Sequence, residues 1–470
     1  MRTARVDFTT KLRDWDGFGV NYVEAAQTRD YFAQPQDYGG FSTLSEAQRQ
    51  EIIELIFGPD GLKPGLVKMF LDPFHQQQPG PGYRYDRDVI DQTTYDHASS
   101  TQWMRYFVRE GLSRTRARGD DLQIITTLYG PPGWMTRQRF VRGRDLDPEY
   151  KYEVAKYLIA WIVYLRTVEG FPVRYVSLHN EGEDWRRWPL DGSTWDALSH
   201  DYNMYWPPEQ VADFIGFMRE MLDRQGLHDV GITPGETSNW YRFSEFGYAD
   251  AIVEDARALA NIGLITSHGF FSRHVGLGYG DWRSAGIDVL RAHRPDLHAW
   301  VTSTGWSRMD AEFIWEVHNN IYAAKVNAII PWAAVQRPIL WVGGDPNPGT
   351  AIRVHEGGHF SVEKGYYFFK QVCRAGQPGM AVTPVRSNDP QVTLIGFANN
   401  GTNHPNAFIV TNIAPEPAEM CIQIVGAPSR FTAYRSSETE HYAPLGTFDA
   451  NAGVLNYAAP AMSVTTFYAT

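Results

Sequence analysis

Residues 171–188 read FPVRYVSLHNEGEDWRRW. The run Val173 to Leu178 has β character. It delivers Asn180 and Glu181 to its carboxyl end, ahead of a polar, Trp-rich stretch. A carboxyl placed in this way can give a proton to a leaving sugar oxygen, the neighbouring amide can hold a sugar hydroxyl, and indoles can face sugar rings. A surface glutamate in a loop is the competing reading. The rest of the chain decides between them.

Working outward, seven more short apolar β-type runs alternate with helical patterns. The runs are Phe18 to Val23, Leu66 to Leu71, Leu122 to Leu128, Val230 to Thr233, Leu264 to Thr266, Ala299 to Thr302 and Ala328 to Trp332. Between Pro148 and Glu169, Val154, Tyr157, Leu158, Trp161, Ile162 and Leu165 recur at helical spacing, and Gly170 ends the pattern. Further helices are expected at Glu46 to Phe57, Trp103 to Arg118, Pro208 to Arg224, Tyr248 to Leu259 and Asp310 to Lys325. Eight strand–helix units over roughly 350 residues predict a (β/α)₈ barrel, whose function sits on the loops after the strands. Beyond about residue 370 the segments become short and β-rich, with turns every ten to fifteen residues or so, which predicts an antiparallel β-sandwich. The run Ala4 to Phe8 is a candidate extra strand for it. The expected division is a barrel over 15–365 and a side domain formed by 1–14 and 366–470.

Composition narrows the function. With 470 residues, 43% hydrophobic, the chain is globular and holds a large core. Aromatic content is 14%, including 15 Trp, which suits a site that stacks on sugars. A net charge of −11 argues against nucleic acid or an anionic membrane as partner. No apolar run approaches the ~20 residues that span a bilayer, and MRTARVDFTT carries no apolar signal segment. The protein is therefore expected to be cytoplasmic, or secreted with its signal removed. Cys373 and Cys421 read as two free thiols, with a disulfide as the alternative.

Other candidates fall at the ends of the expected strands. Trp134 is presented by the rigid turn of Tyr129-Gly130-Pro131-Pro132-Gly133-Trp134-Met135. Glu236 ends the fifth strand, with Trp240 and Tyr241 following; His268 ends the sixth and Trp332 the eighth. Asn21, Lys68 and Trp185 complete the candidate sugar-binding set. There is no His-x-His pair, Cys-x-x-Cys, His-Glu-x-x-His, Walker loop or Gly-x-Ser-x-Gly elbow, which argues against metal, nucleotide and serine-hydrolase chemistry. The glycines of GLGYG (Gly276, Gly278, Gly280) lack the strand-to-helix context of a dinucleotide loop.

The chain resembles glycoside hydrolase family 30, retaining (β/α)₈ enzymes of clan A. The resemblance runs through Gly17-Phe18-Gly19, Pro131-Pro132-Gly133-Trp134-Met135-Thr136, Asn180-Glu181, Ser267-His268-Gly269-Phe270, Gly365 to Gln371 with Pro378-Gly379, and Ser463 to Phe467. It implies that Glu181 is the acid/base, that Asn180 binds the sugar 2-hydroxyl, that no cofactor is needed, and that the substrate is a β-linked carbohydrate. Three positions depart from the family pattern. Gly182 stands where proline is usual, and Lys68 where an arginine is usual. The seventh strand reads Trp300-Val301-Thr302-Ser303-Thr304-Gly305 against a family pattern W-x-[ST]-E-x-G, so Ser303 occupies the place of the nucleophilic glutamate. The 122 residues from Glu181 to Ser303 match the three strand–helix units between strands four and seven. A serine hydroxyl is a poor substitute for a carboxylate that must form a glycosyl intermediate.

Three readings follow. The serine is an engineered replacement of the nucleophile, of the kind made to trap a ligand or to run synthesis from a glycosyl fluoride. Or it is natural and another carboxylate, Glu236 or Glu24, serves. Or the protein is a non-catalytic sugar binder on a glycosidase scaffold.

Overall fold

The computed structural model describes residues 2–25, 37–193, 202–270, 284–305, 309–338, 350–426 and 429–470. The GLGYG glycines lie outside them. Eight parallel strands form the central sheet: β1 Gly17–Asn21, β2 Leu66–Leu71, β3 Gln123–Leu128, β4 Val173–Ser177, β5 Gly231–Thr233, β6 Ile265–Ser267, β7 Ala299–Thr304 and β8 Ala328–Pro331. They run in the order β5-β4-β3-β2-β1-β8-β7-β6. Two parallel bridges, Ile232 to Ile262 and Thr237 to Ser267, join the outer strands and close the barrel.

The two-residue period of a strand sorts side chains into layers inside the barrel. Leu66, Ile125, Leu264, Trp300, Ala328 and Ile330 form a dry floor, with Tyr175 edge-on to Trp300 at 5.1 Å. Two residues further along, Lys68 on β2 and Thr127 on β3 reach the next layer, where polar groups gather. On β7, Val301 pairs with Ile329 and Thr304 with Pro331, so Thr302 and Ser303 together oppose the single residue Ile330. This β-bulge re-aims the end of the strand.

The enclosing helices begin where capping chemistry places them. Glu46–Phe57 starts at Ser45, which forms a reciprocal capping box with Gln48. Pro208–Arg224 starts with proline at its first position. Gln102–Ala117, Lys151–Thr167 and Ala311–Tyr322 also fall where helical spacing predicts them. The single helix expected over Tyr248 to Leu259 is instead two, Tyr248–Glu254 and Ala256–Asn261. Asp255 breaks it: its backbone is extended and its side chain accepts from Arg257 N and Ala258 N, capping the second piece. Helices Trp240–Glu245 and Ala285–His293 were not anticipated.

The side domain packs a seven-stranded sheet on a four-stranded one. The N-terminal strand Arg2–Asp7 joins the smaller sheet as expected. It pairs antiparallel with Val385–Ser387 but parallel with Ala418–Val425, so the sandwich is not wholly antiparallel. The helix Lys364–Ala375 lies between sandwich and barrel. Trp15, Phe18 and Phe397 meet at 4.9–6.2 Å, and Phe369 stands edge-on to Phe18 at 5.8 Å. Trp15 Nε1 donates to the Gly376 carbonyl at 2.9 Å. Cys373 and Cys421 are free thiols. Among the described residues no helix is long and apolar enough to cross a membrane.

Because Trp15 and Phe18 belong to the barrel segment and Phe369 and Phe397 to the sandwich, neither face is dry without the other. A chain ending at residue 365 should be insoluble or should melt without cooperativity, as read by soluble yield and circular dichroism. A soluble barrel with a sharp transition would show the sandwich to be dispensable.

Candidate active site

Glu181 leaves the end of β4 with φ +47°. Its amide donates to the Glu236 carbonyl at 2.7 Å, and Glu236 N donates to the His179 carbonyl at 2.9 Å. The backbone thus carries the β4 and β5 ends side by side into the mouth. Gly182 has a local reason. A Cβ there would lie 2.6 Å from Met204 O, and its N–H donates to His179 Nδ1 at 3.1 Å. Proline would bring both a clash and a lost donor, and it would disfavour a helical-type φ/ψ at the residue before it. Gly235, at φ +97°, is similarly obligatory: a Cβ would stand 2.1 Å from the His179 ring.

The side chains form one chain of charges. Arg187 Nη2 donates to Glu181 Oε2 at 2.6 Å. His268 Nδ1 is 2.9 Å from Glu181 Oε1, and His268 Nε2 is 3.0 Å from Glu236 Oε2. An imidazole that faces a carboxylate with each nitrogen donates from both, so His268 is an imidazolium. Glu236 also accepts from Thr127 Oγ1 at 2.5 Å and from Lys68 Nζ. Lys68 Nζ lies 4.7 Å from the centre of the Phe70 ring. Burial alone would raise the pKa of Glu181; the Arg187 charge and the His268 contacts outweigh it and hold the carboxyl well below the usual range. Glu236 is likewise brought down to about 2, burial being outweighed by Lys68 and His268. Burial works against the charge of His268, but hydrogen bonds to both carboxylates raise its pKa.

Buried polar atoms at this end of the barrel without a hydrogen-bond partner among the described residues include Asn21 Oδ1, Asn180 Oδ1 and Ser303 Oγ. Asn21 Nδ2 donates to the Pro331 carbonyl at 3.1 Å, which ties the first strand to the eighth. Trp332 packs at the end of β8 with its ring 5.7 Å from Phe70. Trp134 is half-buried, donating to the Gln76 carbonyl at 3.1 Å and standing edge-on to Tyr150. Trp185 is 44% exposed on the loop that carries Glu181. Tyr241 is half-buried on the helix Trp240–Glu245. Trp240 does not line the mouth: it is buried, and its Nε1 donates to Asn320 Oδ1.

The alternative nucleophiles are otherwise engaged. Glu24 accepts from Trp103 N and Met104 N at the start of the helix Gln102–Ala117. Glu236 has a fully buried side chain, and the His268 ring stands between it and Glu181. A retaining pair needs ~5–5.5 Å and open space for the anomeric carbon between its carboxyls. Sequence reasoning missed Arg187, although it lies six residues after Glu181 in the same quoted segment. It also missed that His268 joins two carboxylates.

Neither a family model nor a curated protein sequence matches this chain. Solved structures do match over nearly its full length. An endoxylanase of glycoside hydrolase family 30 from Clostridium papyrosolvens is 16% identical with a TM-score of 0.67, covering 100% of both chains. SrfJ from Salmonella typhimurium is 15% identical with a TM-score of 0.72, covering 99% of this chain and 92% of its own. Xylanase C of family 30 from Talaromyces cellulolyticus is 16% identical with a TM-score of 0.69 over 100% of both. The barrel with its side sandwich is therefore the architecture shared with these three structures, two of which are family 30 xylanases.

Removing the Glu236 charge would leave Lys68 buried without its carboxylate. Glu236→Gln should lower stability by about 3–5 kcal/mol at pH 6, the cost of breaking a buried pair from one side. The Glu236 pKa is depressed, so its contribution is complete above the unfolded value of ~4.3 and fades as pH falls toward 2. His268 has a raised pKa, so its contribution is complete below ~6.5 and fades as pH rises through the folded value. Urea unfolding across pH should show the gap between wild type and variant narrowing on acidification. A gap that stays constant down to pH 3 would contradict the assignment.

Proposed function

We propose that the chain is a family 30 glycoside hydrolase scaffold built for retaining chemistry on a β-linked saccharide, with Ser303 in the nucleophile's place. The reading is supported by Glu181 standing at the end of β4 and by Ser303, whose Oγ has no hydrogen-bond partner among the described residues, standing at the bulged end of β7. In the parent mechanism a second carboxylate forms the glycosyl bond. Its negative charge also keeps the acid protonated until the leaving oxygen needs the proton. Here the partner is neutral, and Arg187 and His268 hold Glu181 ionised. Glu181 is thus poised to take a proton from water or an acceptor hydroxyl, the second half of the cycle, and not to give one in the first half. Asn180 holds the 2-hydroxyl of the reactive sugar, and Asn21, Trp134, Trp185 and Trp332 shape the cup.

The chain as it stands should bind saccharide and hydrolyse glycosides very slowly. Ser303→Glu should raise hydrolysis by several orders of magnitude with retention of anomeric configuration, because it restores both the covalent step and the charge that returns the proton to Glu181. An α-glycosyl fluoride with an acceptor sugar should give β-linked product from the Ser303 protein. Rapid turnover of aryl β-glycosides by the unmodified chain would show that position 303 is not the nucleophile. On the Ser303→Glu background, Glu181→Ala should spare dinitrophenyl glycosides, which need no proton, far more than poorer leaving groups. Equal losses on both would remove Glu181 from the acid role.

The ion pair of Glu181 with Arg187 favours a second reading. A sugar-binding protein without chemistry needs no titrating group, and a resting salt bridge serves it well. Product from the fluoride reaction separates the two.

A further inference from the structure

A cavity of about 600 Å³ lies on the seam between barrel and sandwich, away from the strand ends that carry Glu181. Lys63, Lys370 and Arg374 line it, with Asp60 as its single acid and the hydroxyl-bearing Tyr442 and Tyr468 on the sandwich side. Three cations thus face one acid there, in a chain of net charge −11. None of the three forms an ion pair among the described residues. Arg374 Nη1 donates to backbone, at 2.8 Å to the Pro59 carbonyl and 3.0 Å to the Gly61 carbonyl, and the guanidinium also interacts with the Tyr442 hydroxyl.

The cations work against one another. Burial, then the Arg374 charge, brings Lys370 down to about 8, although Asp60 pulls the other way. Burial, then Arg374 and Arg118, also lowers Lys63. Two wall residues are held in the left-handed region, Lys63 at φ +59° and Tyr442 at φ +55°. Non-glycine residues persist there only where the surroundings impose it, often at ligand clamps. Tyr442 is further fixed by stacking on Tyr434 at 4.7 Å and by a 2.9 Å hydrogen bond to Tyr468 Oη. Lys370 Nζ sits 4.9 Å from the Tyr442 ring centre, so the ammonium has the aromatic face on one side and the cavity on the other.

We propose that this seam cavity is an oxyanion site, taking a phosphate- or carboxylate-bearing ligand independently of the barrel mouth. An oxyanion placed among Lys63, Lys370 and Arg374 removes their mutual repulsion and offers acceptors to their N–H groups and to the tyrosine hydroxyls. It also couples sandwich to barrel, because Lys63 and Asp60 belong to the barrel and Tyr442 and Tyr468 to the sandwich.

Isothermal titration of the full chain with inorganic phosphate, and separately with glucuronate, tests this, with sodium chloride at matched ionic strength as the control. Saturable one-site binding of at least one probe is expected. Lys370→Gln and Lys63→Gln should each weaken it at least tenfold. Phosphate alone identifies a phosphoryl ligand, and glucuronate alone a sugar acid. Without ligand, Lys370→Gln should melt no lower than wild type, since it relieves like-charge repulsion; a purely structural lysine would lower the melting temperature. Lys63→Gln keeps the test open if the Lys370 variant does not fold. No saturable binding of either probe, or unchanged affinity in the folded variants, overturns the proposal.

Discussion

The imidazolium of His268, shared between Glu181 and Glu236, sets the electrostatics of the barrel mouth. Remove it and two buried carboxylates lose a common donor; move it and Glu181 loses the group that orients it. Lys68 and Thr127 hold the far end of the chain from β2 and β3, and Arg187 holds the near end from the loop after β4. Elements from β2, β3, β4, β5 and β6 therefore converge on one linear arrangement, cation–carboxylate–imidazolium–carboxylate–cation. Such a network is stable only when every member is present. Within it Glu236 is bonded to Lys68, Thr127 and His268 together.

In the proposed site, β7 supplies the position that Glu181 acts with. The bulge at Thr302 and Ser303 is the sort of local device that aims a catalytic side chain, yet the side chain it carries is neutral. Glu181 itself is paired with Arg187 and His268, which hold its carboxyl well below the usual range.

Much of this was legible in the sequence because barrel strands are buried on both faces and read as continuous apolar runs. Leu66–Leu71 is recovered to the residue, and so are the helices Glu46–Phe57 and Pro208–Arg224, whose starts carry a capping box and a proline. The short helix Ala285–His293 carries too few turns for its period to stand out. Asp255 looks like any polar residue on a helix until its cap is seen. The parallel pairing of Arg2–Asp7 with Ala418–Val425 joins opposite ends of the chain, and no local pattern encodes it. In the site, Asn180, Glu181, His268 and Ser303 were legible from their places at strand ends. The partnership of Lys68 with Glu236, 168 positions apart, was not, because side-chain pairing across a barrel depends on stagger between strands. The departure at Gly182, a puzzle in sequence, is explained by the proximity of Met204 and His179.

Arg187 and His268 hold Glu181 ionised at rest, and in the proposed site no carboxylate at position 303 opposes them. Carbon-13 NMR titration of glutamate-labelled protein, with Glu181→Gln to assign the signal, measures this directly. In the chain as it stands Glu181 should titrate well below the ordinary glutamate value, and in Ser303→Glu the same signal should move up by at least one unit. A Glu181 that titrates at or above the ordinary value beside Ser303, or that does not respond to a carboxylate at 303, would contradict the account.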